Sequence, residues 1–299
     1  MHLLRFTLSV EIVVLPVAGL GSRFLPATKV TPKEMLPIVD VPLVQLAVEE
    51  AVRAGVREIV LVTSPLKPTI EAHFREATAL ESVLVHKGNK LGLDAVRNTL
   101  PEGVVIHVVF QLEALGLGHA VLCAKDIVGN RPFAVMLPDD LIDSSGLGCL
   151  ADMVEIYKER GSYSLAVENV AIEHTNKYGI ATLDGNRIIG LVEKPDPSVA
   201  PSTLAIVGRY ILPPEIFPVL ETINAGAGGE IQLTDGISAL LNTYIFEIQK
   251  LNGTRYDCGS KLGHLQANIV YAFKDKALAE QLYHWLNEEF LLSYSAAPI

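Results

Sequence analysis

Cysteine is scarce in this sequence. The 299 residues hold three, Cys123, Cys149 and Cys258, set far apart and without a CxxC pair. That argues against a disulfide framework or a zinc site, and it fits a reducing cytoplasm. Charge is sparse too, at 19% of residues. Positive charge is the rarer sign, so the formal net charge is -10. That balance argues against sequence-independent nucleic-acid binding, which needs a basic face. A few local Lys and Arg can still hold a small anion against that field. No apolar run reaches the ~18 residues of a membrane span. Near the start, Arg5 precedes an apolar stretch, but Glu11 interrupts it and the apolar residues then run directly into a glycine loop. Residues 11–17 therefore read as a buried strand rather than a secretory signal. Repeats, low-complexity tracts and linkers are missing as well. The expectation is one domain over residues 1–299, with a core at 11–273 and a C-terminal helix and tail at 274–299.

Apolar residues, in contrast, are plentiful at 49%, enough to build a sizeable core. They fall into short runs that read as strands at 11–17, 58–63, 104–110, 133–137, 164–170, 204–211 and 245–250. Helical spacing lies between them, at 44–54 before Gly55, at 119–124, at 147–160 before Gly161, and at 231–242. Ser64-Pro65 suits an N-cap followed by proline at the first helical position. Residues 80–103 read as a surface excursion. Leu183-Asp184-Gly185-Asn186 is a hairpin turn signal between 179–183 and 187–192. In the tail, residues 274–294, Leu278, Leu282, Trp285, Leu286 and Phe290 keep helical spacing. This order predicts an α/β fold: a mixed, mainly parallel central sheet flanked by helices, with added antiparallel hairpins.

One loop carries most of the chemistry. The segment LPVAGLGSRFLPATKVTPKEMLP follows the first strand. Gly19 and Gly21 let backbone N–H groups approach an anion, and Arg23, Lys29 and Lys33 add cations. A dinucleotide fingerprint would use Asp40 as its ribose acid, but Phe24 stands at the third glycine and Pro26 and Pro32 interrupt the helix it needs. A P-loop needs GxxxxGK[ST], which is absent. A long loop wrapping a triphosphate remains, beside a plain glycine turn with surface cations.

LPVAGLGSRFLPATKVTPKEMLPIVD resembles the signature of bacterial UTP–glucose-1-phosphate uridylyltransferases, a branch of the sugar-nucleotide pyrophosphorylases. Ser22 stands where that family usually has Thr. The likeness runs, with gaps, from about Glu11 to about Phe273. It implies a Rossmann-like nucleotidyltransferase fold and implies that Ala18, Gly19 and Gly21 bind nucleotide. In FQLEALGLGHA, the amide of Gln111 can both donate to and accept from a base edge, and Gly116 and Gly118 can let a flat base lie on backbone. The resemblance implies uracil contacts from Gln111 and Gly116. It also marks two departures, since basic residues common in the family are here Phe110 and Leu115. His119 reads as a packed or capping residue.

Five further segments fit the same picture. LPDD places Asp139 and Asp140 at the carboxyl end of a strand, where open α/β sheets bind ligands. An Asx turn would explain paired aspartates as well. RYDCGSK offers Asp257, with Cys258 as a tolerated small residue. The resemblance implies that Asp139 and Asp257 hold Mg²⁺, with Asp140 beside them. NKYGI and VEKP offer Gly179, Glu193 and Lys194, which without the resemblance would be a strand-end charge pair. The likeness implies that they bind the sugar phosphate, with Glu230 of GGEIQLTD closing the pocket.

The implied reaction is in-line attack of glucose 1-phosphate on the α-phosphorus of UTP, giving UDP-glucose and pyrophosphate. Arg23, Lys33 and Lys194 would position phosphates, and no general base is needed because the attacking phosphate is already an anion. The family is commonly a homodimer or homotetramer in the cytoplasm. Two rival readings stay open. One is thymidylyl transfer to the same sugar phosphate. The other is a regulator that binds nucleotide sugar without catalysis.

Overall fold

The computed structural model of the chain describes residues 9–290. Strand β1 (Ile12–Pro16) leads into an irregular loop and a small ribbon, β2 (Pro37–Ile38) with β3 (Val41–Pro42). Then come α1 (Leu43–Arg53), β4 (Glu58–Thr63), α2 (Pro68–His73), α3 (Thr78–His86), α4 (Lys90–Arg97), β5 (Val105–Phe110), α5 (Leu117–Cys123), α6 (Lys125–Val128) and β6 (Phe133–Met136). The middle holds β7 (Asp140–Ser144), α7 (Cys149–Arg160), β8 (Tyr163–Asn169), β9 (Gly179–Asp184), β10 (Arg187–Glu193) and β11 (Leu204–Leu212). The last part holds α8 (Ile216–Thr222), α9 (Leu233–Leu240), β12 (Phe246–Lys250), β13 (Gly253–Asp257), α10 (Lys261–Ala272) and α11 (Lys276–Trp285).

A nine-stranded sheet runs through the molecule in the order β5-β4-β1-β6-β11-β8-β12-β10-β9. β1 pairs in parallel with β4 and β6, and β4 with β5. β11 and β10 run against the other strands of this sheet. The prediction of a mixed sheet flanked by helices therefore holds, with seven of the nine strands running one way but only four of the nine pairings parallel. Strand residues alternate between two cores, as a period of two requires. Val13, Leu15, Ile59 and Leu61 pack on α1 and α7; Ile12, Val14, Val60 and Val62 pack on α5, α8 and α9. Burial on both faces explains why these strands read as unbroken apolar runs.

Most expected elements lie within a residue or two of their predicted ends. Gly161 closes α7 in the left-handed region, and Gly185 turns the β9–β10 hairpin. Three expectations differ. Ser64-Pro65 does not open a helix. Lys67 bonds back to the Ser64 carbonyl at 2.9 Å, and the helix begins at Pro68 instead. Lys67 is drawn inward to Val17 and Glu34, which spends residues 64–67 on a turn. Residues 80–103 do lie at the surface, but α3 and α4 are helices without a buried residue, and Asn89 caps α4 through the Gly92 N–H. α9 starts at Leu233 rather than 231, because Ile231 bonds to Leu115 and Gly118 and Gln232 stays extended. In the tail, Asp275 caps α11, and its predicted continuation to Tyr294 passes outside the described residues, as does Arg5.

A buried ion pair stiffens the sheet's carboxyl edge. Arg209 of β11 is 1% exposed and forks onto Glu50 of α1 at 2.7 and 3.0 Å. Its other donors reach the carbonyls of Leu137, Gly208 and Asp140. All the guanidinium N–H groups thus have acceptors. Such a pair adds little net stability over apolar packing. What it does is fix the main chain at both ends of Leu137–Asp140.

Candidate active site

The loop after β1 is a series of short 3₁₀ turns at Ser22–Phe24, Ala27–Lys29 and Lys33–Met35, not one helix. That removes the dinucleotide reading, and Asp40 is exposed. Gly21 takes φ 66°, and the Thr28 hydroxyl donates to its carbonyl at 2.7 Å, which folds the loop back on itself. Beneath the loop, Lys67 donates to the Val17 carbonyl at 2.8 Å and to Glu34 at 2.9 Å. Glu34 is 1% exposed. Burial pushes its carboxyl up, and the Lys67 and Lys33 ammonium groups offset only part of that.

Two cavities open along the carboxyl edge. The loop-side cavity, of about 320 Å³, is lined by Ala18, Gly19, Lys33, Gln111, Gly116 and Asp139, among others. The hairpin-side cavity, of about 450 Å³, is lined by Arg23, Asp139, Gly179, Glu193, Lys194 and Asp257, among others. They meet at Leu117, Leu137, Asp139 and Glu230, which line both. The structure thus gathers nearly every candidate residue into one cleft. Gly21 lines neither cavity. Lys29 is exposed and lines neither, so it does not join Arg23 and Lys33 as expected. Phe110 and Leu115, 49% and 39% exposed, also lie outside both cavities.

At the meeting point Lys33 Nζ lies 2.5 Å from Asp139 Oδ2. Burial alone would raise Asp139, but the Lys33 cation and its hydrogen bond outweigh burial and hold the carboxyl below its usual range. Burial pulls Lys33 down, and Asp139 with Glu34 more than restores it. β13 pairs with β7 so that Asp257 faces Asp140, and the Cys258 N–H donates to the Asp139 carbonyl at 2.7 Å. A Cβ at Gly259 would stand 2.9 Å from Asp139 Oδ2, 3.0 Å from Asp257 Oδ1 and 3.7 Å from an Arg23 nitrogen. The two carboxylates therefore converge on a space that only glycine leaves open. Cys258 is buried, and burial pushes its thiol up to about 12, which removes it as a nucleophile.

Asp140 points the other way. Arg255 donates to Asp140 at 2.6 Å, to Glu168 at 2.6 Å and to the Tyr178 hydroxyl at 3.0 Å. Burial still leaves Asp140 above its usual range. A Cβ at Gly208 would strike its carboxylate at 2.6 Å. Arg255 was not singled out from the sequence. The available signal was period two in a strand, which puts residues 255 and 257 on one face.

The hairpin base supplies the far wall. Gly179 pairs with Glu193, and β9 also touches β11 through Ile180. A Cβ at Gly179 would lie 2.8 Å from the Thr234 hydroxyl, which itself donates to Glu193 at 2.7 Å. Lys194 has φ 47°, and its N–H donates to the Tyr178 carbonyl at 2.9 Å. A positive φ costs a lysine about 1–2 kcal/mol, and such strain gathers at functional sites. Lys194 Nζ also lies 3.3 Å from Glu193, so the strand-end charge pair exists as well.

Gly116 and Gly118 also pack against the chain at residues 230–231. The Ile231 N–H donates to the Leu115 carbonyl and the Gly118 N–H to the Ile231 carbonyl, both at 2.8 Å. A Cβ on Gly116 would lie 2.7 Å from Glu230 Cβ, and one on Gly118 2.7 Å from the Ile231 carbonyl oxygen. Both glycines thus make room for the 230–231 segment, and Gly116 also lines the loop-side cavity. Gly116→Ala is expected to cost about 2 kcal/mol, from φ 102° and the clash together. The reading is the urea midpoint, and an unchanged midpoint would refute this account of the glycine.

A family model described as nucleotidyl transferase matches residues 12–269. The UTP–glucose-1-phosphate uridylyltransferase of Escherichia coli (strain K12) is 45% identical over 288 residues, covering 92% of this chain and 95% of that protein. A solved structure of a UTP-bound UGPase from Acinetobacter baumannii is 41% identical with a TM-score of 0.86, covering 94% of this chain and 99% of the other. A UDP-glucose pyrophosphorylase complexed with UDP-glucose is 39% identical with a TM-score of 0.80, covering 89% and 100%.

Proposed function

The chain belongs to the nucleotidyl transferase family and, within it, to the UTP–glucose-1-phosphate uridylyltransferases, and from that premise we propose how its two cavities divide the making of UDP-glucose. The loop-side cavity takes UTP and the hairpin-side cavity takes glucose 1-phosphate. The observation that carries this division is Asp139, which lines both cavities where they meet. The reacting phosphates then join beside it.

Each side chain has a place in that reading. Ala18, Gly19 and Gln111 face the nucleoside, with Gly116 behind them. Lys33 and Arg23 flank the junction and hold the phosphates that leave as pyrophosphate. Lys194 steers the attacking phosphate, while Glu193 and the Gly179 main chain accept from and donate to sugar hydroxyls. The attacking oxygen is anionic, so the residues contribute positioning and charge rather than proton transfer. A divalent cation suits the family, and we assign it as Mg²⁺ held by Asp139 and Asp257. The donor set fits: two carboxylates meet at Gly259. No group of three or more acidic, His or Cys ligands occurs among the described residues. Mg²⁺ prefers oxygen ligands, and these two carboxylates would supply them. Bound there, the ion supplies charge stabilisation at the α-phosphate.

The same reading treats the chain as a single cytoplasmic nucleotidyltransferase domain that forms a homodimer or homotetramer. No described helix is long and apolar enough to cross a membrane. α10 and its C-cap Phe273 leave Leu262, Leu265, Ile269 and Phe273 exposed at helical spacing, a face suited to a second copy. Pyrophosphate release with glucose 1-phosphate, Mg²⁺ and either UTP or dTTP tests the reading. UTP should be turned over at least about tenfold more efficiently than dTTP. Equal rates, or none with UTP, would overturn it.

A further inference from the structure

Gln111 is 8% exposed, lines the loop-side cavity, and continues the β5–β4 ladder through its N–H to Thr63. Its side-chain amide has two hydrogens, and both are used within the protein. Nε2 lies 3.2 Å from the Gly116 carbonyl and 3.0 Å from His119 Nδ1. A carbonyl can only accept, so the nitrogen belongs on that side. That leaves Oε1 as the one polar atom of the side chain without a partner among the described residues. An amide held this way presents an acceptor, and an acceptor alone, to a ligand.

His119 stands behind this arrangement. It is half-buried on α5 and lines neither cavity. The first cap of α5 is Gly116, with no side-chain cap bond, so His119 is not a capping residue. To accept at Nδ1 the ring must be neutral and carry its proton on Nε2. That nitrogen lies 4.0 Å from Cys123 Sγ, one helical turn on.

We propose that His119 is a positioning residue for base choice: it locks the Gln111 amide with its oxygen toward the pocket, so the site takes a pyrimidine bearing an N3–H and refuses cytosine. The inference rests on the reading that UTP occupies the loop-side cavity. Uracil and thymine offer a donor at N3; cytosine offers a lone pair there. An oxygen facing that lone pair leaves two acceptors opposed and unpaired, the situation in which polar pockets discriminate most strongly. His119 therefore separates uracil from cytosine and has no bearing on the methyl of thymine.

The test compares kcat/KM for UTP and CTP in the full chain with glucose 1-phosphate. His119→Phe keeps the ring's bulk and removes the acceptor. The UTP/CTP ratio should fall by about tenfold or more, because the amide is then held by one hydrogen bond and can turn. The change should appear in KM for each nucleotide, with kcat for UTP within about threefold, as His119 touches no reacting group. His119→Asn places an oxygen near the position of Nδ1 and should recover most of the ratio. His119→Lys puts a donor there, turns the amide, and should lower the ratio even if the Phe variant does not fold. A ratio within twofold of the parent in the Phe or Lys variant, with both nucleotides slowed alike, would overturn the proposal. Loss of UTP turnover in the parent itself would instead overturn the reading beneath it.

Discussion

Asp139→Asn is expected to lower pyrophosphate release from UTP and glucose 1-phosphate by roughly 10²–10³-fold, as loss of one preorganised charge contact at a reacting phosphate typically does. The carboxylate sits where the two cavities meet and converges with Asp257 on Gly259. Asparagine keeps the volume and can still accept from Lys33, but it loses the charge. Its side chain is about a quarter exposed, so the Lys33 ammonium left behind is partly hydrated rather than stranded. The melting temperature should therefore move by only a few degrees. A Mg²⁺ titration separates the causes, since the variant should need far more ion for the same rate. Near-parental turnover at ordinary Mg²⁺ would remove Asp139 from the mechanism.

Lys194→Ala should cost about 10²-fold in kcat/KM for glucose 1-phosphate, with most of the loss in KM for the sugar phosphate and little in KM for UTP. The side chain is 44% exposed, and its pairing with Glu193 is worth little to stability. Lys194→Gly sharpens the comparison. Its backbone at φ 47° suits glycine, so the fold should hold or tighten while activity is lost. If the alanine variant binds both substrates as the parent does, Lys194 is only the strand-end charge that its dipeptide also suggests.

Much of this was legible in the residues. The strands could be read because both faces are buried, which turns each into an apolar run. The loop could be read because two glycines and two prolines forbid a helix there. What stayed hidden is what joins distant parts. Lys33 and Asp139 are separated by 106 positions, Arg255 and Asp140 by 115, and Arg209 and Glu50 by 159. No local pattern announces such pairs. Gly116 and Gly118 show a subtler failure. Their need for close approach was plain, but only the fold shows that the neighbour is the main chain of Ile231. Ser64-Pro65 misled because Lys67 had a buried partner that local propensity cannot see.

Arg255 has a mechanical consequence. One guanidinium grips β7 through Asp140, β8 through Glu168 and the hairpin approach through Tyr178, while its own strand ends in Asp257. The Asp140–Asp257 side of the cleft and the hairpin side are thereby tied through one side chain. A shift of either side is therefore passed to the other, so the two halves of the cleft keep their spacing as one frame.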